Sequence, residues 1–197
     1  MRKANLSTII FATIICLTIL SFIAIFLWFV LKPHLPTIRV DSVMVNSLST
    51  TTSVELTALF NVAFTLRNPN RKFTLSYENL DAAIWFDRRN LALAFFRPFS
   101  QRTESNIVLQ TWFDVFHKQF KNSPVVRGIA VQQAHGSVDF GLTLNARVRF
   151  RSTGLHSMVR TLNVECYPVR VVFPLNDSNH GGTFKGPVDC NTVDIDQ

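Results

Sequence analysis

Two stretches of the chain alternate apolar and polar residues with a period of two. In the first, Val54, Leu56, Ala58, Phe60, Val62, Phe64 and Leu66 share one parity, interrupted only by Leu59 on the other. In the second, Val138, Phe140, Leu142, Leu144, Ala146, Val148 and Phe150 face one way. Ser137, Asp139, Gly141, Thr143, Asn145, Arg147, Arg149 and Arg151 face the other. Successive side chains of a strand point to opposite faces, so these runs predict long antiparallel strands with one dry face and one wet face. Shorter runs at Ile38–Val45, Leu80–Phe86, Leu91–Phe96, Ser105–Gln110, Leu162–Phe173 and Thr183–Ile195 read the same way. Eight or so strands at this spacing predict a sandwich of two packed sheets. One stretch breaks the rule. In WFDVFHKQF, residues 112–120, Phe113, Phe116 and Phe120 recur at helical spacing, which predicts a single short helix over one end of the sandwich.

The N-terminal pattern has no polar phase. Leu6 to Leu31 contains no charged residue, and near its end Trp28 and Phe29, followed by Lys32 and Pro33, read as an interfacial belt and an exit. Hydrocarbon forces the backbone to bond within the segment, and about 20 apolar residues suffice to cross a bilayer. The run is far longer than the apolar region of a cleaved signal, and no small-x-small cleavage site precedes Lys32. A lipid bilayer is therefore the first expected partner. The chain divides into a tail at 1–5, a transmembrane helix at 6–31, an exit linker at 32–37 and a sandwich at 38–197. Arg2, Lys3 and the α-amino group on one side outweigh Lys32 and Arg39 on the other, which places the N-terminus in the cytosol and the domain outside.

Composition agrees with one apolar core. Of 197 residues, 47% are hydrophobic and 18 are Phe, which excludes a disordered chain. About 165 residues beyond the apolar helix suffice for one domain. Lys and Arg number 20 against 13 acidic residues, a formal charge of +7 that favours anionic surfaces without naming one. Asn68, Pro69 and Asn70 stop the first long strand at full amplitude. Proline lacks the N–H of a ladder and asparagine favours turns, so a reversal is predicted there, kept wet by Arg71 and Lys72 and blunting a sheet edge.

With the strands placed, the chain resembles the plant late-embryogenesis-abundant group 2 (LEA-2) proteins, in particular the membrane-anchored hairpin-induced-like branch related to the hypersensitive response. The resemblance is carried by the exit KPHLPTIRV, by LRNPN with Asn68, Pro69 and Asn70, by Tyr77, by Ala82 and Ile84 before Phe86, and by RPFSQ with Pro98, Phe99 and Gln101. The strand GSVDFGLTLNARVRFR and the late pair Cys166 and Cys190 complete it. The chain departs from the pattern at Phe86, where a tyrosine is usual, at Arg102, where a glycine is common, and in the unusually aromatic 112–120. The resemblance implies an immunoglobulin-like or fibronectin-like antiparallel β-sandwich, plasma-membrane residence, a role in plant defence or stress responses, and no catalytic residues. The runs that hold the two cysteines flank the polar NDSNHGG, and a hairpin there brings them close if the register sets them opposite. A bridge across a loop of about 25 residues would add roughly 3 kcal/mol and requires an oxidising compartment. The alternative is two buried free thiols. Asn176 heads a glycosylation sequon in the same loop, usable only on the lumenal side; the sequon at Asn5 abuts the membrane on the cytosolic side.

Candidate chemistry is sparse. His34, His117, His135, His156 and His180 do not pair at metal-ligand spacing, and the three cysteines form no C-x-x-C. There is no G-x-S-x-G elbow, P-loop or dinucleotide fingerprint. His135-Gly136-Ser137 reads as a turn, and Asp87, Asp114 and Asp139 as isolated solvated carboxylates. No enzyme, metal or cofactor is expected. Arg147, Arg149 and Arg151 share one wet strand face and can contact anions, although a wet face needs polar residues in any case. Nucleic acid is not an expected partner, because the aromatics alternate onto the opposite face. Two functions follow. One is a non-enzymatic membrane protein of defence or stress that acts through protein partners, as a homo- or hetero-oligomer or otherwise. The other is a binding module for anionic lipid headgroups or acidic cell-wall polysaccharide through the arginine face.

Overall fold

The computed structural model describes residues 6–52, 55–120, 124–152, 154–174 and 181–196. The chain divides into two compact units, residues 1–34 and residues 35–197. The first holds helix α1 (Leu6–Leu31), long and apolar enough to cross a membrane. Phe11, Phe22 and Phe26 are exposed along it, an arrangement suited to hydrocarbon and costly in water. Its threonines do not interrupt it. Thr13 and Thr18 donate their hydroxyls to the carbonyls of Ile10 and Ile15, each at 2.8 Å, so neither of these hydroxyls is left bare in an apolar medium.

Among its described residues the second unit is antiparallel β with one short helix. Its elements are β1 (Thr37–Thr52), β2 (Glu55–Arg67), β3 (Thr74–Phe86), β4 (Arg89–Phe96), β5 (Phe99–Gln101), β6 (Asn106–Gln119), α2 (Val125–Ala134), β7 (Ser137–Ser152), β8 (Leu155–Val172), β9 (Gly182–Phe184), β10 (Val188–Asp189) and β11 (Asn191–Asp194). The strand order is β4-β3-β7-β8-β9-β1-β2-β6, with β5 on β3, β10 on β1 and β11 on β8. One ladder thus rolls over on itself through β9, and its two halves face each other across the core. Phe60 of β2 meets Phe140 of β7 edge-on at 5.1 Å, and Phe86 of β3 closes on the same ring at 6.2 Å. The alternating residues form that core. Phe60, Val62, Phe64 and Leu66 are fully buried, as are Val138, Phe140, Leu142, Leu144, Val148 and Phe150. Each such side chain contributes about 1.5–3 kcal/mol. Val54 lies outside the described residues.

Three expectations need correction. The aromatic stretch 112–120 is strand, not helix, up to Gln119. β6 pairs with β2 residue by residue, Phe113 opposite Phe60 and Trp112 opposite Asn61. Phe113 and Val115 alternate into the core while Trp112, Asp114 and Phe116 point out. Aromatic and β-branched residues suit a pleated surface, and pairing with β2 overrides three phenylalanines that happen to fit a helical spacing. The helix is instead α2, next along the chain. Pro124 stands before its first turn, where a missing N–H costs nothing, and Val125, Val126 and Ile129 are its buried side. His135 and Gly136 end it, Gly136 at φ 86, so the turn expected at His135-Gly136-Ser137 is the helix C-terminus.

Asn-Pro-Asn is a reversal, but it is neither wet nor at an edge. β2 is paired on both sides, by β1 and β6, and Asn68 and Asn70 are buried. Arg71 and Lys72 alone keep the expected exposure. Finally, the run 183–195 is three short strands. β9 continues the hairpin with β8, β10 crosses to β1 at Val40 and Arg39, and β11 returns to β8.

Candidate functional site

The motif residues at 68–70, 77 and 98–101 converge at one end of the sandwich. Asn68 stands at the centre. Its Nδ2 donates to the carbonyls of Phe73 at 2.8 Å and Arg102 at 2.9 Å, while its Oδ1 accepts from the backbone N–H and the Nδ2 of Asn70. Gln101 is also buried. It donates to the carbonyls of Leu66 and Ser105 and accepts from the Tyr77 hydroxyl at 3.2 Å. Phe99 stacks on Tyr77 with centroids 4.6 Å apart, whereas Pro98 is exposed. Burial pushes the Tyr77 phenol well up, so it stays a neutral donor. These side chains satisfy the backbone groups that the Asn-Pro-Asn stop and the 102–105 turn leave without a ladder. Their role is to hold the fold.

The surface with chemical variety is the wet face of β3, β7 and β8. Cross-strand register sets its residues in rows. Trp85 lies opposite Gly141; Ala83, Thr143 and Glu165 form the next row, then Asp81, Asn145 and Asn163, then Asn79, Arg147 and Thr161. The third row is a ladder of hydrogen bonds, Asn163 Nδ2 to Asn145 Oδ1 at 2.8 Å and Asn145 Nδ2 to Asp81 Oδ2 at 3.0 Å.

Beyond it lie the arginines. Arg147, Arg149 and Arg151 are on one face of β7, as expected, but they share a counter-ion. Glu78, at a bulge in β3, bonds Arg149 Nε at 2.6 Å and lies 3.6 Å from Arg147 Nε. The hydrogen bond from Arg149, then the charges of Arg149, Arg147 and Arg151, hold the Glu78 carboxyl below its ordinary range. Arg149 is accordingly the least exposed of the two paired guanidiniums, at 31% against 57% for Arg147. Three cations over one carboxylate leave a positive end to the face.

At the opposite end are residues that sequence reasoning did not single out. Trp85 lies over Gly141, its Nε1 donating to Thr143 Oγ1 at 2.9 Å, and Tyr167 stacks nearly parallel to it, 14° off with centroids 5.4 Å apart. The signal was there in Gly141, a glycine in the middle of the longest alternation, which often marks a close approach. Asp139 is not isolated. Arg170 grips it through two bonds of 2.7 and 2.8 Å, and that hydrogen bond holds the Asp139 carboxyl down and the guanidinium pKa up.

Cys166 and Cys190 form a disulfide, with Cα atoms 4.3 Å apart. Cys166 is fully buried on β8, and the Cys190 N–H donates to the Ile38 carbonyl of β1, so the bridge fastens the C-terminal segment to both halves of the sheet. Cys16 is free on α1. Asn176 and His180 lie outside the described residues. Among the described residues no three His, Cys, Asp or Glu side chains are grouped to hold a metal.

A helix able to span a bilayer, followed by an antiparallel sandwich pinned by a late disulfide and a buried Asn-Pro-Asn network, defines the class of this protein. Its named likenesses fall in one group. The chain is 24% identical to NDR1/HIN1-like protein 10 of Arabidopsis thaliana over 190 residues, covering 94% of this chain and 82% of that protein. It is 27% identical over 128 residues to NDR1/HIN1-like protein 6 of the same plant, covering 64% of this chain and half of the relative. These likenesses bear out the resemblance to the hairpin-induced-like, hypersensitive-response-related LEA-2 branch. No family model matches the chain. Among solved structures, a protein from Archaeoglobus fulgidus covers 69% of this chain and 98% of its own at 12% identity, with a TM-score of 0.35, too low to inform either fold or function.

Proposed function

We propose that this chain is a non-enzymatic, single-pass protein of the plant plasma membrane, N-terminus in the cytosol and sandwich outside, that serves defence or stress responses by contacts of its sandwich. The similarity to NDR1/HIN1-like proteins carries the plant defence and stress reading. The uncharged α1 supports the anchor, and the Cys166–Cys190 bridge supports an oxidising compartment for the sandwich. Proximity labelling from the C-terminus tests it. The labelled neighbours should be plasma-membrane and apoplastic proteins, and complexes with them should persist at high salt. Labelling of cytosolic proteins alone would refute it.

A second reading has its own observation, the excess of guanidinium over carboxylate at Arg147, Arg149 and Arg151. In it the positive end of the sheet face binds anionic headgroups or acidic polysaccharide. Replacing the three with glutamine should then weaken binding to anionic liposomes or polygalacturonate and flatten its salt dependence. Unchanged binding to both would remove this reading.

A further inference from the structure

The other end of the same sheet face carries a groove of about 830 Å³, within the roughly 300–1,000 Å³ of small-molecule sites. Its floor is aromatic. An added Cβ at Gly141 would stand 2.1 Å from the Trp85 indole, so glycine is what lets the ring lie flat on the sheet. Tyr167 stacks beside it on the outward parity of β8 and is 57% exposed. The indole N–H already bonds Thr143, which leaves the rings to act through their faces. Asn163 and Glu165 extend the floor along β8, and the other lining comes from Gln132 of α2 and from Asp87 and Arg88 of the β3–β4 turn. That turn has two residues, both at positive φ, 48 for Asp87 and 59 for Arg88. Turns of this shape favour glycine at the second place. Here a strained arginine holds it and lines the groove, as strained residues do at binding sites.

We infer that this groove binds a neutral oligosaccharide. A pyranose has a C–H face that stacks on flat aromatic rings and a rim of hydroxyls, each both donor and acceptor. The rim suits the amides of Gln132 and Asn163 and the carboxylate of Glu165. Charge argues against an acidic glycan in this place: with Asp139 held by Arg170, Asp87 and Glu165 still outnumber Arg88. Chemistry argues against a proline-rich peptide. Such a segment also packs on aromatic rings but offers mainly carbonyl acceptors, which acceptor-only carboxylates cannot satisfy. The inference goes beyond the defence reading and is independent of the arginine end.

Calorimetric titration of the full-length chain in phospholipid nanodiscs tests it, with cellohexaose, xylohexaose and mannohexaose as probes and decaproline and hexagalacturonate alongside. At least one neutral hexasaccharide should bind. Tyr167→Ala should weaken that binding about tenfold, with only the small fall in melting temperature that the lost stacking on Trp85 entails. Glu165→Gln, at an exposed strand position, should also weaken it, and the triple arginine-to-glutamine variant should bind as wild type does. The inference is overturned if no neutral hexasaccharide binds, if decaproline or hexagalacturonate binds in their place, or if Tyr167→Ala and Glu165→Gln both leave the affinity intact.

Discussion

Asn68→Ala is the substitution whose cost the structure specifies best. The asparagine is wholly buried and its side chain makes four hydrogen bonds, two to carbonyls and two from Asn70. Alanine leaves the Phe73 carbonyl and the N–H and Nδ2 of Asn70 without that partner in a buried site, whereas the Arg102 carbonyl keeps the Ser105 hydroxyl at 2.7 Å. Each stranded group costs roughly 1–3 kcal/mol, and partial relaxation of the 102–105 turn returns some of it. We expect a loss of about 3–5 kcal/mol, a large share of the roughly 5–15 kcal/mol that holds a domain together. Arg71→Ala is the internal comparison. Its ion pair with Glu104 at 3.0 Å is exposed on both sides, 84% and 58%, and its loss should cost no more than about 0.5 kcal/mol. Urea unfolding of the full-length chain in detergent micelles, followed by the strand signal in circular dichroism, measures both. Asn68→Ala within about 1 kcal/mol of Arg71→Ala would refute the assignment of a structural centre to Asn68.

Reduction of the Cys166–Cys190 bridge should lower the stability of the sandwich by roughly 3 kcal/mol, as expected for a closed loop of this size, with the shift absent in Cys166→Ala/Cys190→Ala; urea midpoints with and without reductant measure it. The pH dependence follows from Glu78 and Asp139, whose carboxyls are both held low in the fold. A depressed carboxyl contributes stability that is complete above the unfolded pKa of about 4 and is lost as pH falls through the folded value. Acid midpoints should therefore shift upward in Asp139→Asn and in Glu78→Gln, while melting temperatures near neutral pH fall modestly; identical acid profiles for wild type and both variants would contradict the pairing with Arg170 and Arg149. 

The long strands were legible because their order is local. The parity of Phe60 to Leu66 or Val138 to Phe150 is set by pleat alone, and every inward residue is buried; Gly141, on the outward parity, is buried as well, beneath Trp85. The 112–120 stretch misled for the same reason in reverse. Phe113, Phe116 and Phe120 match a helix by spacing, and only the partner strand β2, some fifty residues away, shows that Phe113 and Val115 are the inward pair. The Asn-Pro-Asn motif could be read as a stop but not as a buried network, since one of the two carbonyls that Asn68 serves, that of Arg102, belongs to a turn more than thirty residues further on. The arginine strip was visible in β7, but Glu78 enters it through a bulge that no periodicity announces. The aromatic floor is wholly non-local. Trp85, Gly141 and Tyr167 come from three strands and meet only through register.

The proposed function requires that α1 cross a membrane and that the sandwich lie outside it. Protease treatment of intact protoplasts carrying the chain with a C-terminal epitope measures this. The account predicts that the epitope is removed without permeabilisation and that an N-terminal fragment containing α1 stays in the membrane pellet after alkaline carbonate washing. An epitope protected until the plasma membrane is opened, or an α1 fragment released by carbonate, would contradict it.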